Sequence, residues 1–306
     1  MRCYEKFGKR ISYHSILGDI KDLDDWSAHF LNTFIELAVN RFRWKNLPDE
    51  IDPRYLELSL LTAGSVVFFY DIVKGFCALE GAWSGVDMYY NPTDYHVVTP
   101  TGFSPNITMD EGVIIWNNFT RTSDMPSIWL YADSIAELYQ TCLINCKGQK
   151  HPIVVLVDSE KERLTLENAY AKLDGNHPVI YLKEKGKYQE KFTTINAQVP
   201  FVAREILIMA RSMMEEFFKW LGIRVPNVVK QSYTNDREQV NTNAITWQLR
   251  NRGLHARQVA AEQINRKFKG MLPYGDLEIE FNEEVIEMAS ELLDGFSEGV
   301  GGIPNE

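Results

Sequence analysis

The sequence predicts an α+β fold for this chain of 306 residues. Several stretches carry apolar residues at the spacing of amphipathic helices. Short runs rich in β-branched and aromatic residues, separated by Gly, Pro and Asn, predict strands of a small antiparallel sheet or barrel. The composition, with 45% hydrophobic, 12% aromatic and 24% charged residues, is that of a folded chain rather than a disordered one.

The N-terminal part alternates between the two kinds of element. A helix is predicted over 24–45, where Asp24 or Asp25 can cap it. A second helix opens at Pro53 behind the cap Asp52 and ends near Leu61, before Gly64. The β-rich runs follow at 66–70, 75–79, 96–99 and 113–116.

The middle of the chain reads as a helix, a compact insert and a second helix. The first helix covers 131–146. In the insert, strands at 153–157 and 179–182 flank a helix over 164–173, which together form a βαβ unit. The second helix runs over 200–220, with Pro200 at its first position and Gly222 just past its end.

The helix at 200–220 is apolar over most of its circumference. Its polar stripe is Arg204, Glu205, Arg211, Ser212, Glu215, Glu216 and Lys219. The remaining positions include the predicted oligomer-interface residues Ile206, Met209, Met213, Met214, Phe217 and Phe218. Such a helix needs neighbours on two sides. It is therefore either the central core helix of one chain or a helix wedged between copies in a ring.

A polar stretch at 224–242 follows, with Lys230 and Arg237 as cations and Tyr233 as its aromatic residue. A loop of this length is usually functional or mobile, although a solvated surface linker is the simpler alternative. A helix at 257–267, a strand at 277–281 and a helix at 283–293 complete the prediction. The segments 1–20 and 299–306 are predicted to be flexible.

Charge and cysteine content limit the function. A formal net charge of -10 and a pI near 5.2 argue against a conventional nucleic-acid binder. They do not exclude a DNA conduit, since a mostly acidic wall with a few cations lets a polyanion slide. Four scattered cysteines, no secretory signal and no membrane-length apolar run predict a protein that stays inside a cell.

The sequence contains none of the motifs that would indicate catalysis. It has no GxxxxGK[ST] phosphate loop and no GxSxG, HExxH, CxxC or GxGxxG motif. The six histidines are dispersed. We therefore predict no catalytic residue, no metal site, no cofactor and no enzymatic activity.

An ordered set of short motifs resembles the portal proteins (upper collar proteins, or head–tail connectors) of picovirus-type podoviruses (Picovirinae). The motifs are Trp44-Lys-Asn-Leu-Pro48, Ile51 to Glu57, Gly64, Val67 to Asp71, Gly81 to Gly85, Gly112 to Asn118, Ala136-Glu-Leu138, Leu164 to Tyr170, Gly175-Asn176, Pro178-Val-Ile180, Pro200-Phe-Val202, Leu221-Gly-Ile223 and Glu262 to Asn265. Together they span most of the chain.

The resemblance implies a dodecameric ring with an axial channel for double-stranded DNA. It assigns 129–149 and 200–222 to stem helices and 150–199 to a βαβ clip. The wing, with an SH3-like β element, would be 21–128 and 243–298, and 223–242 would be a channel loop. DNA contacts are then expected from Arg224, Lys230, Tyr233 and Arg237 in the loop and from Arg204, Arg211 and Lys219 in the stem.

The resemblance also implies partners and a location. The partners would be further copies of the chain, a packaging ATPase, the major capsid protein, a tail (lower collar) protein and a packaging RNA. Only Arg2, Lys6, Lys9 and Arg10 match the family's basic N-terminal extension. The protein would lie at the capsid vertex of the virion after assembly in the host cytoplasm. The alternatives are another virion ring adaptor, or a soluble α+β enzyme with an unrecognised site.

Overall fold

A computed structural model shows a mixed chain of helices and small, mainly antiparallel sheets. It describes residues 23–149, 153–157, 179–183, 192–194, 200–224 and 236–298. The helices are α1 (Leu23–Val39), α2 (Pro53–Ala63), α3 (Met125–Gly148), α4 (Ala203–Leu221), α5 (Asp236–Lys267) and α6 (Glu284–Glu298). The strands are β1 (Phe42–Lys45), β2 (Ser65–Asp71), β3 (Gly75–Leu79), β4 (Gly81–Val86), β5 (Pro92–Val97), β6 (Asn106–Thr108), β7 (Gly112–Trp116), β8 (Ile153–Val157), β9 (Val179–Lys183), β10 (Phe192–Thr194) and β11 (Glu278–Phe281).

The chain divides into two compact units. The larger unit comprises Met1–Ala136 and Arg211–Glu306, and the smaller comprises Glu137–Ala210. Within the described ranges, no helix is both long and apolar enough to span a membrane.

The larger unit contains two three-stranded sheets in addition to the two-stranded sheet of β1 and β11. Their strand orders are β3-β2-β7 and β4-β5-β6. Both contribute to one core, made of Val67, Phe69, Tyr95, Val97, Ile107 and Ile114. The buried Tyr95 joins the sheets, because its hydroxyl donates to the Ser65 carbonyl (3.2 Å) and accepts from the Gly81 amide (3.2 Å). Burial raises the pKa of this phenol.

This region confirms the antiparallel sheet prediction in part. The strands predicted at 66–70, 75–79 and 113–116 correspond to β2, β3 and β7. The strand predicted at 96–99 is wrong in its position along the chain, since β5 ends at Val97. The sequence reading missed β4 and β6. Their sequences, GAWSGV and NIT, contain glycine, serine and asparagine instead of a β-branched run.

The helix predicted over 24–45 is too long. Helix α1 ends at Val39, and Phe42–Lys45 forms β1, which pairs antiparallel with β11. Phe42 and Trp44 point inward and Arg43 and Lys45 outward, the alternation of a half-buried strand. Because the partner strand lies far along the chain, the local apolar pattern could not distinguish the two elements.

Helix α2 confirms the capping prediction. Asp52 is the N-cap and accepts from the Arg54 amide (2.8 Å), and Pro53 occupies the first turn. Gly64 ends the helix in the left-handed conformation, with φ +84°. Its Cβ would lie 3.0 Å from the backbone of Thr122 and Ser123, so glycine is also required by space.

The smaller unit contains a sheet of strand order β10-β8-β9. Strand β8 pairs parallel with β9, as the βαβ prediction requires, and antiparallel with β10, which was not predicted. The helix predicted over 164–173 lies outside the described residues. Helix α4 begins at Ala203, so the prediction that Pro200 occupies the first helical position is wrong.

Helix α5 corrects the prediction of a polar loop over 224–242. It begins at Asp236 and therefore includes the last residues of that segment. Residues 225–235 lie outside the described part of the chain. The helix extends to Lys267 and begins far before the predicted bounds of 257–267.

Candidate functional site

Helix α4 carries most of the residues predicted to contact DNA or another copy. Its second half packs into the larger unit, where the Phe217 ring stacks on Phe34 with centroids 4.0 Å apart. Met214, Phe217 and Phe218 are only 1%, 0% and 0% exposed. These three residues were predicted to form the oligomer interface, and that prediction is wrong because the subunit's own core covers them.

The exposed apolar residues of the smaller unit lie nearer the start of α4 and the end of α3. Ile206 is half-buried, whereas Met209 is 58% exposed. Met213, in the larger unit, is half-buried. We define the stem apolar surface as Leu143, Ile144, Phe201, Val202, Ile208 and Met209, which are between 38% and 62% exposed. The structure thus leaves an apolar surface on the predicted stem, and of the predicted interface residues this surface contains Met209.

Side chains of α3 hold the chain that leads into α4. The Asn145 side-chain amide donates to the Pro200 carbonyl (2.9 Å), and its oxygen accepts from the Val202 amide (3.1 Å). The Cys142 thiol contacts the Ala203 carbonyl oxygen at 3.7 Å, and burial raises the pKa of this thiol. These contacts fix Phe201 and Val202 beside the last turns of α3.

The predicted DNA contacts do not converge on one described site. Arg204 and Arg224 are exposed, and Lys219 is half-buried. Arg211 is paired with Glu215 on the same helix, with Nε and Oε1 3.4 Å apart. Arg237 lies in the first turn of α5, where side chains are not described, and Lys230 and Tyr233 lie outside the described residues.

The sequence reading missed a buried ion pair. Arg257 on α5 and Glu57 on α2 are 1% and 2% exposed. The Arg257 Nη2 and Nε atoms donate to Glu57 Oε2 (2.8 Å) and Oε1 (2.9 Å), which is a bidentate pair. Trp44 Nε1 also donates to Glu57 Oε1 (2.8 Å), and Arg257 Nη1 donates to the Asn117 carbonyl (2.9 Å).

A second buried cluster centres on Asp124, just before α3. Arg41 Nη2 donates to Asp124 Oδ2 (3.3 Å), and Arg252 Nη2 donates to Asp124 Oδ1 (3.2 Å). The Asn118 side-chain amide donates to the same Oδ1 (3.3 Å). Burial lowers the pKa of Arg41, while the charge of Asp124 opposes that shift.

The two clusters connect β1, α2, the loop after β7 and α5. They use charge-assisted hydrogen bonds inside the protein, where an unpaired charge would be costly. A local signal existed in the sequence. Glu57 is a charged residue among the leucines of α2, and Arg257 is one among the alanines Ala256, Ala260 and Ala261. No group of three or more metal-binding side chains occurs among the described residues.

A cleft of about 950 Å³ lies between the three-stranded sheets of the larger unit and α5. Its lining includes the apolar Ile114 and Trp116 and the cations Arg121 and Lys267. The Lys267 ammonium donates to the carbonyls of Met109 and Gly112, the latter at 2.6 Å, and burial lowers the pKa of this amine. The amine therefore ties α5 to the turn between β6 and β7.

Comparisons with known proteins point to a structural component of a phage. A family model described as Phage Connector (GP10) matches residues 12–275. A solved structure described as the portal and tail of native bacteriophage P68 contains a chain that is similar to this one at 16% identity. The match covers 96% of this chain and 100% of that chain, with a TM-score of 0.47.

Proposed function

Since the chain belongs to the phage connector family, we propose that it assembles into a ring whose axial channel passes double-stranded DNA during packaging and ejection. The protein is a head–tail connector subunit, and connectors are structural components of the virion. The family match over residues 12–275 is the observation that carries this conclusion. The resemblance of the sequence motifs to podovirus portals further supports a dodecamer.

The stem apolar surface supports assembly from identical copies. Its residues belong to the predicted stem helices and the segment that leads into α4, and all are exposed in the single chain. Exposed apolar residues that are close together usually mark an interaction site. A ring buries such a surface on every copy, because the same contact repeats between each subunit and the identical subunit next to it. The ring interface would then contain Met209 and Ile208, with the half-buried Ile206 on the same unit. Met213, which belongs to the larger unit, stays a separate proposed interface residue.

The charge of the chain supports a channel that slides on DNA instead of gripping it. The formal net charge is -10, and Arg204 and Arg224 are exposed cations at the two ends of α4. A few isolated cations make weak, salt-sensitive contacts with phosphate. We therefore keep Arg204, Arg211, Lys219, Arg224, Lys230, Tyr233 and Arg237 as the proposed DNA contacts.

The proposed partners follow from the position of a connector at the head–tail junction. They are the major capsid protein, the tail (lower collar) protein, the packaging ATPase and, through Arg2, Lys6, Lys9 and Arg10, a packaging RNA. Assembly in the host cytoplasm would precede incorporation into the capsid vertex. Energy for packaging would come from the separate ATPase, since the chain has no phosphate-binding loop.

Light scattering and negative-stain imaging of the purified protein test the proposal. A ring with a central opening and a mass many times 35.3 kDa is expected. A monodisperse monomer at micromolar concentration with a normal thermal transition would contradict it. Phosphate release that a point mutation in this chain abolishes would instead favour an enzyme.

A further inference from the structure

The hairpin formed by β4 and β5 exposes an unusual concentration of large apolar side chains. Trp83 and Val86 on β4 are 49% and 46% exposed, and Met88, Tyr89 and Tyr90 in the turn are 83%, 75% and 78% exposed. Turns normally carry polar residues or glycine. We define Met88, Tyr89 and Tyr90 as the hairpin tip.

The tip is rigidly built. Asp87 Oδ1 accepts from the amides of Tyr89 and Asn91, both at 2.8 Å, and the Asn91 side chain donates to Asp87 Oδ2 (2.9 Å). Arg121 then donates to the Tyr90 carbonyl (2.9 Å) and to Asn91 Oδ1 (2.6 Å). A contact whose conformation is fixed in advance loses less entropy when it binds.

The exposed area is large enough for a specific contact. Trp83, Tyr89 and Tyr90 at these exposures present roughly 300–500 Å² of aromatic surface, taking about 150–250 Å² for each ring. That is about half of the ~800 Å² that one partner contributes to a standard interface. Strand β4 also lies at the edge of its sheet and has neither the charged side chain nor the proline that protects exposed edges.

The charge pattern favours another copy of this chain as the partner. Within 81–93 the one charged residue is Asp87, whose carboxylate accepts the hydrogen bonds of the turn, although the whole chain has a net charge of -10. Two such chains repel each other in general, so they meet most favourably at an apolar region that carries few charges. A phosphate backbone would need free cations, and the tip has none.

We propose that the β4–β5 hairpin, through its tip, packs against the neighbouring copy in the ring. This contact belongs to the larger unit and is additional to the stem apolar surface. The inference rests on the proposed function, because it requires the ring.

Paired variants test the contact by light scattering. Met88→Ser with Tyr89→Ser should lose the ring mass, while Ile72→Ser with Val73→Ser should keep it. The control residues sit on the β2–β3 turn and are 92% and 85% exposed, so both pairs change surface apolar residues. A tip variant that assembles like wild type overturns the hairpin inference alone. Loss of the ring in both variants also overturns it, and a wild-type monomer overturns the proposed function.

Hydroxyl-radical footprinting of wild-type rings gives a second test that needs no mutation. In the isolated chain Met88 is more exposed than Met271, 83% against 50%. Oxidation should follow the opposite order in the ring, because the neighbouring copy covers Met88. Faster oxidation of Met88 than of Met271 in the ring would show that the tip is uncovered and would overturn the inference.

Discussion

The pair formed by Arg257 and Glu57 illustrates how much a single buried charge depends on its partner. Arg257→Met would leave the Glu57 carboxylate buried with Trp44 as a remaining donor. Breaking a buried ion pair on one side costs about 3–5 kcal/mol. We expect that loss in the free energy of unfolding, measured by urea denaturation of the protein.

Arg43→Met is the matched control for this variant. Arg43 is also paired with a glutamate, Glu284, at 2.9 Å, but the side chains are 51% and 69% exposed. An exposed pair contributes about 0–1 kcal/mol. The double variant Arg257→Met with Glu57→Leu should recover part of the loss, since it removes the unpaired charge. Equal losses in the free energy of unfolding for Arg257→Met and Arg43→Met would show that the buried pair stabilises the protein no more than the exposed pair.

Gly222 tests a backbone requirement at the end of α4. Its φ is +81°, and a Cβ at this position would lie 2.5 Å from the Cα of Arg250. Gly270 has the same φ, but a Cβ added there would meet no atom within 4 Å. Gly270→Ala should therefore cost about 1–2 kcal/mol from conformation alone. Gly222→Ala should cost more because α5 must also move, and equal losses in a denaturation experiment would contradict this.

At the scale of elements, capping residues allowed good predictions and long-range pairing did not. Asp52, Pro53 and Gly64 fixed both ends of α2 because capping is local chemistry. The strand β1 was predicted as helix because its pairing with β11 joins Phe42 to Phe281. The residues next to Phe42 in the sequence carry no information about a strand partner so far along the chain.

Helix α5 shows a second reason for failure. The apolar periodicity that identifies helices is weak along it, since Trp247 is 63% exposed while the charged Arg257 is buried. The start, Asp236-Arg-Glu-Gln239, contains good helix formers and an acidic first residue. Reading these residues by propensity instead of apolarity would have shortened the predicted loop.

Among the predicted site residues, too, local properties could be predicted from the sequence and contacts with residues distant in sequence could not. Arg204 and Arg224 are exposed, as the sequence pattern led us to expect, and their contact with DNA stays a prediction. Met214, Phe217 and Phe218 are core residues of the subunit, and a role of Ile206, Met209 and Met213 in the interface stays a prediction. An apolar stripe does not reveal whether its partner is the same chain or another copy. Phe217 proved to be a core residue through Phe34, which lies far away in sequence.

The order of the turn at the hairpin tip should depend on pH. Hydrogen bonds from Asn91 hold the pKa of Asp87 below its ordinary value of 3.8. A carboxyl whose pKa is lowered in the fold stabilises it above the ordinary pKa, and that stabilisation is lost as the pH falls through the lowered value. The turn should therefore loosen only in acid.

Hydrogen exchange of the peptide 87–91, corrected for the intrinsic effect of pH, measures this loosening. Asp87→Ala should lower the protection of the Tyr89 and Asn91 amides at neutral pH, because these amides lose their acceptor. Asp71→Ala is the control, since Asp71 orders the β2–β3 turn by accepting from the Val73 and Lys74 amides. Unchanged protection in Asp87→Ala would show that the side chain does not order the tip.

At the scale of the whole molecule, α4 contributes to two different processes. Its second half belongs to the subunit core, where Phe217 is fully buried, and its first half leaves Met209 58% exposed. Folding of one chain and association of copies should therefore respond to different positions of the same helix.

Substituting aspartate at three positions of α4 separates the two processes. Phe217→Asp places a carboxylate in the core, which costs several kcal/mol, so the subunit itself should lose its thermal transition. Met209→Asp leaves the isolated chain stable, because the site is open to water, but should disperse the ring, since the carboxylate would be buried against a neighbour. Ser212→Asp, at an exposed position, should change neither property. Calorimetry and light scattering on the same samples measure both, and a Met209→Asp ring of wild-type mass would place the interface elsewhere.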